Sequence, residues 1–259
     1  MSDEKIDPLA EGFCHPADNV TEPCLIYMAR VLELREFISF YFNFVKTTAS
    51  LKEYIPQEAA SGSDGKALAF LKYNYSDHRP LVNQIMLSRA VESFDLYIIT
   101  ILRDVFLSTP QLLKSEGSIE VSAVIDAGNY ENLIWQIVDR KVHDLSYKSL
   151  SDLRKFIVGR TGLDLFIDDK IFETSVLASE VRNLIAHNDC IVNDVFLFKT
   201  KGVSEKLEVS GTGRVKISDE WLRKVSYMLD GIVFRFDALA SKKFGLRTLN
   251  RMTSFTLRS

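Results

Sequence analysis

Glycine and proline are scarce in this chain, with 12 and 6 among 259 residues. A β-architecture with many tight turns needs more of both, so their scarcity favours long helices. The hydrophobic fraction of 46% is enough for one large domain with a substantial core. No shift in composition marks an internal domain boundary. We therefore expect an all-α protein with at most one small β-hairpin.

Cysteine is also rare, and its spacing argues against two ways of stabilising a fold. The three cysteines, Cys14, Cys24 and Cys190, are an odd number and show neither a Cys-x-x-Cys motif nor Cys/His ligand spacing. Neither a disulfide framework nor a zinc site is indicated. We expect a protein of the reducing cytoplasm that uses no metal and no cofactor.

Long apolar runs are absent as well. The most apolar segment, residues 94–107, is interrupted by Asp95, Arg103 and Asp104, which indicates a buried helix and not a membrane span. The N-terminus is acidic and has no apolar run after a basic start, unlike a secretory signal. We expect a soluble protein with no membrane partner.

A net charge of −3 provides no general attraction to nucleic acid, but the charge is unevenly distributed. Residues 1–22 carry six acidic residues and one lysine, whereas residues 242–259 carry five basic residues and no acid. Either both segments are solvated tails, or the basic one holds an RNA backbone or the acidic arm of a partner. We divide the chain into an acidic arm (1–22), a single helical domain (23–245) and a basic tail (246–259).

Apolar residues recur at helical spacing in four long segments. These segments lie near residues 24–45, 81–107, 168–188 and 218–243. Shorter helices are expected at residues 119–127, 132–145 and 149–158. Alternation around a glycine-rich turn predicts a small β-hairpin near residues 207–217.

Local signals mark the ends of these helices. Pro23 suits a first turn and Ser218 suits an N-cap, while Asn188 is expected to stop a helix because asparagine tolerates the left-handed conformation. The adjacent carboxylates of Asp168 and Asp169 could hold a metal, but no third ligand is in register. We therefore interpret them as a helix start.

The stretch most able to carry chemistry is residues 179–189, SEVRNLIAHND. On a helix its apolar residues fall on one side, and Arg182 points almost directly away from that side. Glu180, Asn183 and His187 form a polar edge beside the apolar side. A guanidinium, an amide and an imidazole are groups that can hold a phosphodiester and move a proton near neutral pH.

The sequence RNLIAHN at 182–188, followed by IVN at 191–193 and FL at 196–197, resembles the signature of the HEPN superfamily of small α-helical domains. In that family an Arg-x4–6-His motif, often with a polar residue directly after the arginine, lies on the last long core helix and marks metal-independent endoribonucleases. The close resemblance covers about residues 179–198. A looser similarity to the first core helix of some members lies at residues 89–97.

The resemblance implies an up-and-down helical bundle that cleaves single-stranded RNA by attack of the 2′-hydroxyl on the adjacent phosphate. It implies three catalytic residues: His187 as general base or acid, Arg182 to stabilise charge on the phosphate oxygens, and Asn183 to orient one of them. A role in a toxin or host-defence system is implied in the same way. A regulatory or antitoxin protein would then be a partner beside RNA.

Arg182 and His187 are five residues apart, or about 140° around a helix, so one copy cannot easily present both to the same phosphate. We therefore expect a symmetric homodimer through the 179–188 helix. Two other interpretations remain open. One is a non-catalytic helical module that binds RNA or a protein with the same surface. The other is a helix in which Arg182 is solvated and His187 caps its own C-terminus.

Overall fold

The computed structural model describes residues 16–54, 78–114 and 118–256 of the chain. Over these residues the chain forms nine α-helices, one 3₁₀ turn (Pro110–Leu113) and one two-stranded sheet. The helices are α1 (Glu22–Tyr54), α2 (Arg79–Ser108), α3 (Val121–Ala127), α4 (Tyr130–Ser146), α5 (Leu150–Thr161), α6 (Asp169–Asn188), α7 (Asp194–Lys199), α8 (Asp219–Phe244) and α9 (Arg251–Thr256). The prediction of an all-α bundle is confirmed.

All four long helices form where the hydrophobic period places them, and α1 continues nine residues beyond its predicted end to Tyr54. Two of the predicted start signals act as N-caps. Asp168 Oδ1 accepts a hydrogen bond from the Ile171 amide at 2.8 Å, and Ser218 Oγ accepts one from the Trp221 amide at 3.1 Å. Each cap satisfies an amide that has no partner within its own helix, which is worth about 1 kcal/mol.

The core is built around α2, which packs against α1, α4, α6 and α8. Its largest fully buried side chains are Phe94, Tyr97 and Phe106, and α8 contributes Phe236. Burying a side chain of this size stabilises the fold by roughly 1.5–3 kcal/mol. Some polar side chains of α2 are exposed, such as Arg89 and Glu92, whereas Asn83, Asp95 and Arg103 bond to neighbouring segments.

The sheet joins the two ends of the described chain. Strand β1 (Asn19–Thr21) pairs antiparallel with β2 (Thr248–Asn250), with Val20 opposite Leu249. These strands fall in the segments predicted as the acidic arm and the basic tail, and three-residue strands carry too short a pattern to be recognised in sequence. Residues 1–15 of the predicted arm lie outside the described residues.

The predicted turn at 207–217 forms as a minimal hairpin. The Ser210 amide donates to the Arg214 carbonyl and the Lys216 amide donates to the Glu208 carbonyl, both at 2.8 Å. Pairing is limited to isolated antiparallel bridges, one of which joins Ile191 to Arg214 and so connects the turn to the chain that follows α6. Among the described helices, none is long and apolar enough to cross a bilayer.

Candidate functional site

Helix α6 carries the candidate site and lies between α2, α5, α7 and α8. Its predicted apolar stripe is buried as expected, with Leu177, Val181 and Leu184 each less than 4% exposed. This stripe anchors the helix in the core. The polar residues of the motif are consequently displayed along its flanks and at its C-terminal end.

Arg182 is only partly exposed and is bound to a carboxylate, which argues against the interpretation in which its side chain is solvated. Its side chain is 26% exposed, and its Nη2 donates to Asp95 Oδ2 on α2 at 2.7 Å. The reason is that α2 packs against this flank of α6. The apolar stripe predicts that one face of α6 is covered, but it does not predict contacts on the other faces. The Nε atom of Arg182 is buried and has no hydrogen-bond partner among the described residues.

Asp95 is a residue of this site that the motif analysis did not select. Burial raises the pKa of the Asp95 carboxyl, and the nearby Arg182 guanidinium opposes that rise. The carboxylate is therefore held in its charged form mainly by its cationic partner. One signal in the sequence pointed to it, since Asp95 interrupts the most apolar segment of the chain, and a charge in a buried helix needs a partner.

Asn183 belongs to a separate polar network. Its Nδ2 donates to Glu180 Oε2 at 3.3 Å, and Glu180 Oε1 accepts from Lys199 Nζ of α7 at 3.0 Å. The Glu180 side chain is only 13% exposed, so this ion pair ties α7 to α6 at the level of the motif. The second N–H of the Asn183 amide is not used by this network.

His187 is exposed in the last turn of α6 and makes no hydrogen bond or ion pair with any described residue. It does not act as a C-cap. The Leu184 carbonyl accepts from the Cys190 amide at 3.0 Å, and the Asn188 carbonyl accepts from the Ile191 amide at 2.8 Å. The Asp189 amide also donates to the Leu184 carbonyl, so backbone groups close the helix end and the imidazole is not needed there.

The chain leaves α6 through two consecutive left-handed residues. The helix ends at Asn188 as predicted, but the left-handed conformation is taken by Asp189 (φ 49°) and Cys190 (φ 61°). Such residues cost roughly 1–3 kcal/mol each and persist only where the surroundings hold them. Here the minimal hairpin holds them, because the Val215 amide donates to the Cys190 carbonyl at 3.0 Å and Arg214 forms an ion pair with Asp189.

Three apolar side chains of α7 are exposed beside the motif. Val195 is 60% exposed, Leu197 55% and Phe198 81%. We call these three residues the α7 patch. The Lys199–Glu180 pair joins α7 to α6, so the patch lies on a helix that contacts the helix of the motif.

The structure therefore brings Arg182 to Asp95 and Asn183 to Glu180, and leaves His187 apart from both. No hydrogen bond or ion pair joins His187 to Arg182 or Asn183 within the described residues. Those residues also contain no group of three or more His, Cys, Asp or Glu side chains placed to hold a metal ion.

Comparisons of the chain with models of protein families, with curated proteins and with solved structures give no match. The resemblance to the HEPN superfamily accordingly rests on the residues quoted above.

Proposed function

We propose that this protein is a metal-independent endoribonuclease of the HEPN type that acts on single-stranded RNA as a homodimer. The observation that carries the proposal is His187, an exposed imidazole without a structural partner at the end of the helix that holds Arg182. An imidazole that is exposed and does not cap its helix is accessible to a substrate and can take up or release a proton.

The chemistry assigns one task to each residue. The His187 imidazole takes the proton of the 2′-hydroxyl as that oxygen attacks phosphorus, and the bond from phosphorus to the 5′-oxygen breaks. Arg182 donates to the phosphate oxygens, where negative charge builds up, and the unused N–H of Asn183 orients one of them. The 5′-oxygen leaves as a hydroxyl after protonation by an imidazolium. The other product end is a 2′,3′-cyclic phosphate.

The positions of Arg182 and His187 support a dimeric site. Arg182 is turned toward α2 by Asp95, whereas His187 stands at the exposed end of α6, so one chain does not direct both groups to one phosphate. An isologous contact of two α6 helices would place the imidazole of one chain near the guanidinium of the other. The α7 patch supplies apolar surface next to that contact.

A second candidate function is a non-catalytic module that binds RNA or a protein. The Arg182–Asp95 ion pair favours it, since this pair neutralises the guanidinium that a phosphate would need. The α7 patch would then receive a protein partner. A role in a toxin or host-defence system, restrained by an antitoxin or other regulatory protein, extends the first candidate and would also use that patch.

The deciding experiment is cleavage of a single-stranded RNA by the purified full chain in the presence of EDTA. Cleavage that leaves a 2′,3′-cyclic phosphate and depends on His187 supports the ribonuclease. Binding of the RNA without cleavage supports the second candidate. Cleavage that EDTA abolishes would contradict the metal-independent mechanism.

A further inference from the structure

A cavity of about 410 Å³ lies between α1, α2 and α8. Its volume is in the range of small-molecule pockets, which are mostly apolar and have a few convergent polar groups. It is separate from the motif, because α2 lines the cavity through Met86 and Ala90 and meets Arg182 through Asp95, on a different side of the same helix. We propose that this cavity binds an elongated amphipathic monocarboxylate of the medium-chain fatty-acid class.

The cavity wall is suited to a hydrocarbon chain. Seven aliphatic or thioether side chains from the three helices contribute to its apolar part: Val31, Leu34, Ile38, Val82, Met86, Ala90 and Leu222. On α1 the lining extends from Tyr27 to Phe42, and fifteen residues of helix span roughly 22 Å. The wall is therefore elongated, which suits an extended chain.

The two carboxylates in the wall are already satisfied. Asp230 accepts a hydrogen bond from the Tyr27 hydroxyl at 2.9 Å and forms an ion pair with Arg35. At the other end of the cavity, Asp219 accepts from Arg79 Nε and from Asn83 Nδ2, both at 2.9 Å. Because each aspartate has an arginine partner, the wall has no uncompensated negative charge that would attract a cation.

One positive charge remains. Arg223 lines the cavity, is exposed, and has no ion-pair partner among the described residues. Arg35 and Arg79 are balanced by Asp230 and Asp219, so the lining carries an excess of one positive charge. A guanidinium binds a carboxylate through two parallel N–H groups, and a single excess charge matches a monoanion better than a dianion. Charge complementarity and the apolar wall together define the ligand class.

The test uses decanoate, at concentrations below those at which it forms micelles, titrated calorimetrically into the full chain. We expect saturable binding of one decanoate per chain. Arg223→Gln should weaken it about tenfold, the size expected for loss of a charge-assisted hydrogen bond. The matched control is Arg247→Gln, which removes the same charge from an exposed arginine outside the cavity and should leave affinity unchanged.

Two further variants test whether the ligand occupies the cavity. Met86→Trp fills the buried part, and Ser39→Trp narrows the wall from an exposed position of α1 where core packing is not disturbed. Each should abolish binding, and thermal melting of the unliganded variants checks that they remain folded. Absence of saturable binding to the wild type, or unchanged binding to a folded Ser39→Trp variant, would overturn the proposal.

Decanol separates anion recognition from simple filling of apolar space. Decanol should bind the wild type at least tenfold more weakly than decanoate does. Its affinity should be the same for the wild type and for Arg223→Gln. Equal affinities for decanol and decanoate would overturn the assignment of a carboxylate. None of these measurements depends on RNA cleavage, so their outcome is independent of the proposed ribonuclease activity.

Discussion

Arg182 on α6 and Asp95 on α2 are 87 residues apart in sequence and form an ion pair at 2.7 Å. The pair fixes the guanidinium at the boundary between the two helices and compensates its charge in the free protein. A phosphate that binds Arg182 must either displace Asp95 or share the guanidinium with it. Sharing is feasible, because the described hydrogen bond to Asp95 uses Nη2 and a guanidinium has further N–H donors. The proposed activity therefore depends on a carboxylate outside the motif.

Replacing Asp95 by Asn should separate binding from catalysis. The freed Arg182 charge should raise affinity for single-stranded RNA a few-fold, while the cleavage rate should fall because the guanidinium loses its fixed position. Stability should change by no more than about 1 kcal/mol, because both side chains are partly exposed. Fluorescence anisotropy, cleavage rate and urea unfolding measured on one preparation check the three effects.

The matched control for Asp95→Asn is Asp139→Asn. Asp139 forms a similar ion pair with Arg103 at 2.8 Å, which also involves α2 but lies outside the motif. The Asp139→Asn substitution should leave RNA affinity and the cleavage rate unchanged. Equal effects of the two substitutions would mean that Asp95 acts only through general stability or charge.

Replacing His187 by Ala should reduce RNA cleavage by about 10²–10⁴-fold, the usual contribution of a general acid or base. The melting temperature should not change, since His187 is exposed and makes no contact that stabilises the fold. RNA affinity should also be retained. His143→Ala is the control, because His143 is likewise exposed in the last turn of a helix and lies outside the motif. A cleavage rate that survives His187→Ala would end the catalytic assignment.

Mixing two inactive variants tests whether the site is shared between chains. Arg182→Ala and His187→Ala should each be inactive alone. If each site takes its arginine and histidine from different chains, a re-equilibrated equimolar mixture should recover about a quarter of the wild-type rate, since half of the dimers are mixed and each has one intact site. Recovery is measured by cleavage, and dimer formation by sedimentation. A monomer at micromolar concentration, or a dimer without recovery, would contradict the shared site.

Asp237 should make stability depend on pH in the opposite direction to an ordinary surface aspartate. It is 2% exposed on α8 and accepts hydrogen bonds from the Thr21 amide at 3.1 Å and the Tyr97 hydroxyl at 3.4 Å. Burial raises its pKa, and these hydrogen bonds only partly oppose the rise. The folded state thus holds the Asp237 proton to a higher pH than the unfolded chain does.

Protonated Asp237 therefore contributes to the free energy of unfolding. This contribution is fully present below the pKa that Asp237 has in the unfolded chain, and it is lost as pH rises through its pKa in the folded state. Asp237→Asn removes this dependence. The free energy of unfolding of the wild type minus that of the variant should therefore fall as pH rises from about 4 to 7. Urea unfolding at several pH values measures it, with the exposed Asp126→Asn as control. A difference that grows with pH would show that the Asp237 pKa is lowered instead.

The parts of this protein that sequence could predict are those set by local physics. The 3.6-residue period located all four long helices, and side-chain oxygens at Asp168 and Ser218 marked where α6 and α8 begin. The Leu177, Val181 and Leu184 stripe was predicted to be buried and is buried. These features depend on residues within one or two turns of each other, so the sequence alone contains them.

The parts that only the tertiary structure decided depend on contacts between distant segments. The helical period placed Arg182 away from the apolar side of α6, but it did not indicate that α2 covers that flank and supplies Asp95. Strand β1 finds its partner more than 200 residues away in β2, and the cavity is lined by residues from three helices, α1, α2 and α8. Helical periodicity states which face is apolar but not which neighbour covers it. Helix packing therefore determines which polar groups are in contact, and the packing of α2 on α6 places Asp95 next to Arg182.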